Sequence, residues 1–226
     1  MSDVPSSCLI RPAELALRPA CARGCRLRIG PSRQNVLVVP GYQGSGPTHW
    51  QTWLEAQLPC TRRADDIDWY RPVLADWVVS LLRTIDRAAE PLWIVAHSFG
   101  CLASVAAIAR RRDKIAGAML VAPADPERFT PTGLRPADSS PEESLAAVMP
   151  QTLLGIECSV VASRNDPWMA PDVSALWAAR WGAKFTNIGA AGHINVDSGF
   201  GPWPQGLRFL EDLQQQGGFG RARCWN

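Results

Sequence analysis

Ser98 stands in Ala96-His97-Ser98-Phe99-Gly100, with a small residue two positions before it and two after. That pattern suits a sharp strand-to-helix turn, where small flanking residues let backbones close up and the serine side chain is pushed outward. A serine hydroxyl is a weak nucleophile and needs a base, most often histidine. The chain has three histidines: His49, His97 and His193. His97 adjoins Ser98 on the turn, where neighbouring side chains diverge, so it is poorly placed to take the proton. His193 follows Gly189-Ala190-Ala191-Gly192, a loop of small residues that can carry an imidazole back over a sheet edge. The imidazole in turn needs a carboxylate to fix its tautomer and stabilise its charged form. Asp166, in Ser163-Arg164-Asn165-Asp166-Pro167, directly follows an apolar run and precedes His193. Asp125 is its rival, although Pro123 and Pro126 around it suggest a turn, and Asp197 lies too near His193 in sequence to be the first choice. Such a trio performs acyl transfer through a covalent serine intermediate.

A tetrahedral intermediate also needs donors already aimed at its oxyanion. One is expected from the backbone N–H of Phe99, just after the nucleophile. The second is expected from Gly41-Tyr42-Gln43-Gly44, through the N–H of Tyr42, with the glycines admitting close approach to the backbone. A phosphate cradle does not fit this loop, because the lysine of a G-x-x-x-x-G-K-[ST] motif is absent.

The elements that must position these groups follow from the apolar pattern. Val36–Val39, Leu92–Val95, Ala116–Val121 and Glu157–Ala162 read as buried strands, with a further strand near Lys184–Ile188. Helices are predicted over Thr48–Leu58, Pro72–Ala88, Leu102–Ala109, Val173–Trp181 and Pro204–Gln214. Alternating strands and helices imply a three-layer α/β fold with a mostly parallel sheet, and such sheets carry reacting groups on loops beyond their carboxyl ends. Residues 1–33, proline-dotted and without periodicity, read as a loosely ordered extension, 34–216 as the domain and 217–226 as a flexible tail.

Composition narrows the classes. A chain of 226 residues, 46% hydrophobic and with ten tryptophans, can bury a sizeable core, which excludes a disordered protein. The net charge of +2 and the scatter of basic residues exclude an electrostatic case for nucleic acid. Arg110-Arg111-Arg112 sits where a helix should end and complements its dipole. Seven cysteines, an odd number without C-x-x-C pairs, point to reduced thiols and a cytoplasmic protein, and Cys8, Cys21 and Cys25 have no nearby histidine to suggest a metal. No apolar run is long enough for a membrane span. Neither cofactor nor metal is expected; the expected partner is a small acyl substrate, and the oligomeric state, monomer or dimer, stays open.

Gly41, His49-Trp50, Ala96-His97-Ser98-Phe99-Gly100-Cys101, Asn165-Asp166-Pro167, Gly192-His193-Ile194-Asn195 and Ser198-Gly199-Phe200-Gly201-Pro202-Trp203-Pro204 together resemble the small serine hydrolases similar to retinoblastoma-binding protein 9 and the bacterial YdeN-like proteins. The resemblance runs from about residue 35 to 213. It implies an α/β-hydrolase fold with little or no lid and matches Ser98, Asp166 and His193 to the family's triad. Ala96 departs from the usual G-x-S-x-G. His49 and Trp50 match a family signature; packing, or support of the oxyanion loop from behind, is the expectation for them. The activity implied is hydrolysis of an ester, less readily an amide, with short or medium acyl groups because the segment Glu127–Met149 is short for a cap. A binding protein with little turnover, or an acyltransferase using the same triad, are the alternatives.

Overall fold

In the computed structural model, which describes residues 35–138 and 143–221, the four longest apolar runs form neighbouring strands of one parallel sheet. The strands are β1 (Val36–Val39), β2 (Thr61–Arg63), β3 (Leu92–His97), β4 (Ile115–Val121), β7 (Glu157–Ala162) and β8 (Lys184–Asn187), in the spatial order β2-β1-β3-β4-β7-β8. Two two-residue strands, β5 (Phe129–Thr130) and β6 (Gly133–Leu134), make a small antiparallel hairpin outside it. The expected N-terminal extension lies outside the described residues.

Helices cover both faces, because strands buried on two sides need apolar partners on each. On one face, α2 (Leu74–Asp86) buries Trp77, Val78, Leu81 and Ile85, a helical stripe, while α4 (Pro171–Trp181) buries Trp177 and Trp181. Between them α3 (Phe99–Ile108) is apolar nearly all round and is buried almost throughout, wedged between sheet and α2. On the other face, Trp50 and Leu54 of α1 (Trp50–Gln57) and Leu210 and Leu213 of α5 (Pro204–Arg221) pack on Val36, Val38, Trp93, Val95, Met119 and Val121. Burying each large aliphatic side chain contributes roughly 1.5–3 kcal/mol.

Several boundaries differ from the sequence reading: α3 starts at Phe99 rather than Leu102, α4 at Pro171 rather than Val173, and two others have a local cause. The helix expected to end near Gln214, with a tail from Gly217, instead runs to Arg221. Gly217 belongs in it because it lies against the Trp93 ring, where an added Cβ would stand 3.1 Å from the indole. At the other boundary, Pro72 precedes α2 rather than opening it, since Val73 is the extended cap residue.

The chain leaves β1 for β2 on one side and then crosses to β3 on the other. The sheet therefore reverses its winding between β1 and β3, and the crevice beyond their carboxyl ends is where a site belongs.

Candidate active site

Ser98 links the end of β3 to the start of α3 with φ 53 and ψ −126, a conformation that L-residues rarely adopt. It is held there by its neighbours. The Ser98 N–H donates to the Val121 carbonyl at 3.1 Å, and the Ser98 carbonyl accepts from Cys101 N–H at 3.0 Å. Gly100 lies so close to β1 that a Cβ on it would overlap the Pro40 carbonyl, and a Cβ on Gly41 would stand 2.7 Å from that of Ser98. Alanine at position 96 fits because it lies within β3, opposite Val39 and Leu120.

The Ser98 hydroxyl donates to His193 Nε2 at 2.8 Å, and His193 Nδ1–H donates to Asp166 Oδ1 and Oδ2 at 2.9 and 3.0 Å. The side chains of His193 and Asp166 are 8% and 3% exposed, so the three groups form a chain largely shielded from water. Asp166 Oδ1 also accepts the N–H of Trp168 at 2.8 Å. Neither rival bonds the His193 ring: Asp125 accepts from Glu127 N–H in a short turn, with burial raising its pKa, and Asp197 sits exposed on the turn after His193.

The loop carrying His193 is held by polar side chains. Ser163 Oγ accepts from Ala191 N–H, Asn165 Oδ1 from Gly192 N–H and Ser198 Oγ from His193 N–H, at 2.9, 2.9 and 3.0 Å. Ser198 Oγ donates in turn to Asn195 Oδ1 at 2.9 Å. Trp50 packs in the core, and its indole donates to the Ile194 carbonyl at 2.9 Å, which also ties it to the loop of His193. His97 Nε2 donates to the His193 carbonyl at 2.9 Å, so the His97 ring tethers the backbone of His193 and does not bond Ser98. Sequence reasoning missed these tethers. Their only advance signal was Asn195 and Ser198 recurring in the segments that carry the resemblance.

His49 caps α1, its Nδ1 accepting from Gln51 N–H at 3.2 Å. Burial, then the nearby Arg63 and His193, lower its pKa to about 4. Burial also drives the pKa of His97 well down, so both rings are neutral near pH 7. Gln51 ties the same loop to the sheet, donating to the Val39 and Val95 carbonyls at 3.1 and 3.2 Å and accepting from Ser45 Oγ at 2.6 Å. Cys101, against the Val121 carbonyl, has its thiol pKa pushed well up by burial, which leaves it unreactive beside the site.

A cleft of about 340 Å³ opens over Ser98, walled by Tyr42, Gly44, His49, Trp168 and His193. The N–H of Phe99, first residue of α3, has no carbonyl within its helix to reach. In the loop after β1 the backbone donors that bond are Gln43 and Gly44, which leaves the Tyr42 N–H without a protein acceptor among the described residues. Among those residues no group of three or more His, Cys, Asp or Glu could hold a metal ion, and no helix is long and apolar enough to cross a membrane.

A family model for serine hydrolases matches residues 36–212. The YdeN protein of Bacillus subtilis is 32% identical over 72 residues, which cover 30% of this chain and 38% of that protein, so well under two thirds of the relative is matched. A crystal structure of a YdeN-like hydrolase from Pectobacterium atrosepticum superposes with a TM-score of 0.72 at 32% identity, covering 82% of this chain and 94% of that one. The structure of the Bacillus subtilis ydeN product, at 21% identity and a TM-score of 0.61 over 80% of this chain and 98% of that one, shares the fold. With the family model spanning the sheet and its helices, and the fold that of an α/β hydrolase, this chain belongs to the serine hydrolase family, among its small YdeN-like members.

Proposed function

We propose that the chain hydrolyses small esters through an acyl-enzyme on Ser98, with His193 as base and then acid, and Asp166 holding the imidazole. The observation that carries this reading is the 2.8 Å contact from Ser98 Oγ to His193 Nε2, with Nδ1 of the same ring on both oxygens of Asp166. Ser98 Oγ attacks the carbonyl carbon as its proton passes to Nε2. The N–H groups of Phe99 and Tyr42 take the oxyanion. His193 then protonates the departing alcohol and accepts a proton from water as that water attacks the acyl carbon; the imidazolium returns this proton to Ser98 Oγ as the acyl–oxygen bond breaks, freeing the acid and the serine hydroxyl. The protein's own groups suffice for every step.

Short or medium acyl groups are the preferred substrates, since the cleft of about 340 Å³ is small for a ligand site. A cytoplasmic setting belongs to the same reading and is supported by Cys60, Cys101 and Cys158, which are free thiols. A fluorophosphonate probe tests the nucleophile. Wild-type protein should label on Ser98, whereas Ser98→Ala should not label while melting within a few degrees of wild type. An unlabelled, folded wild type would overturn the reading. A chain-length series of p-nitrophenyl esters tests the substrate class, and faster turnover of long-chain esters would count against it.

A further inference from the structure

His49 carries a hydrogen-bond donor without an acceptor. Its Nδ1 is engaged by Gln51 N–H, which leaves the ring proton of the neutral imidazole on Nε2. Only 5% of the residue is exposed, the ring lines the cleft, and Nε2 has no hydrogen-bond partner among the described residues. Nor is Nε2 one of the sealed orphan atoms, which are the hydroxyls of Ser104, Ser159 and Ser174 and the Trp203 indole nitrogen. It therefore opens onto the cleft. Capping α1 does not account for it, because asparagine or serine would cap as well, and only a ring adds a second nitrogen facing away from the helix.

The position of the ring identifies which part of a substrate it meets. His49 lies 5.1 Å from the His97 ring, centroid to centroid, and the His97 ring lies 4.9 Å from that of His193. This is the base's side of the cleft, where an alcohol departs as His193 protonates it. Asp197 lines the same cleft with an exposed carboxylate and disfavours a bound anion. The acceptor that suits Nε2–H is thus uncharged.

We propose that His49 binds substrate, its Nε2–H donating to an uncharged oxygen in the alcohol portion of the ester, so that esters of oxygen-bearing alcohols are preferred. This rests on the reading of Ser98, His193 and Asp166 as a hydrolytic centre. The test compares 2-methoxyethyl acetate with n-butyl acetate, which match in chain length and yield the same acetyl-Ser98. The ratio of their kcat/KM values therefore reports the alcohol side alone. Wild type should favour the methoxyethyl ester. His49→Asn, which keeps a cap and removes Nε2, should lower the ratio by about five- to tenfold, the worth of one neutral hydrogen bond. His49→Gln, whose amide N–H extends further, should recover part of it. A wild type without preference, or an equal loss on both esters in the Asn variant, would overturn the inference while fluorophosphonate labelling of wild type preserves the hydrolytic reading. Failure of wild type to label removes both.

Discussion

The two sides of the cleft are built in opposite ways. Ser98 is placed by backbone sterics: it sits at φ 53, with Gly100 against the Pro40 carbonyl and Gly41 against Ser98 itself. His193 is placed chiefly by side-chain hydrogen bonds, from Ser163, Asn165, Ser198, Trp50 and His97, on a loop whose Ala191 and Ile194 also pack into the core. The first arrangement is inseparable from folding, since the elbow is also the joint between β3, α3 and β1. The second can be dismantled bond by bond while the sheet stands. Damage to the elbow should therefore register in stability, and damage to the loop in catalysis.

Asp166→Asn makes the sharpest division. It should lower kcat by about 10⁴-fold, through loss of the correct tautomer, with the melting temperature nearly unchanged. Comparable loss of stability in that variant would erase the distinction. Gly100→Ala is its counterpart on the elbow side; the added methyl meets β1 backbone that cannot yield, and a cost of about 3 kcal/mol or more should show as insolubility or a large fall in the urea midpoint.

Acid should weaken the wall of the cleft beside the elbow. His49 has a folded pKa of about 4 against 6.5 in the unfolded chain, so between those values the unfolded state binds more protons and stability falls as pH falls. The contribution is complete above pH 6.5 and amounts to about 3 kcal/mol, lost progressively toward pH 4. His97, depressed for the same reason, adds in the same direction. Urea midpoints at neutral and mildly acidic pH should differ less in His49→Asn than in wild type. Smallest is the effect of Ser198→Ala, which removes the acceptor for His193 N–H and should slow labelling of Ser98 about tenfold, or about 1–2 kcal/mol, without touching the elbow. A drop in the melting temperature as large as that of Gly100→Ala would show that the loop, too, is part of the folding unit.

The same contrast governs what could be read from sequence. Strands such as Leu92–His97 announce themselves because burial on both faces demands a continuous apolar run. Ser98 is legible because a steric rule restricts the residues around it. β2 carries no such signal: Thr61-Arg62-Arg63 is a half-exposed edge strand, and its Arg63 bonds sideways to Glu55 and the Ser45 carbonyl instead of facing a core. The tethers of the His193 loop are equally silent. Ser163, Asn165 and Ser198 are small polar residues in turns, and nothing in their spacing says which distant N–H each will accept. The burial of Trp50 is legible, but its hydrogen-bond partner Ile194, 144 residues away, is not.

The position of α5 in the chain carries a consequence for synthesis. Pro204–Arg221 supplies Leu210 and Leu213 to the face that bears Trp93, Val95, Met119 and Val121, yet it is translated after every strand it covers. At translation rates of roughly 5–20 residues per second, the nascent sheet shows that apolar face for a period on the order of seconds, with α1 as the helix already able to cover part of it. During that interval the apolar face is open to wrong contacts, and the arrival of α5 is what closes it.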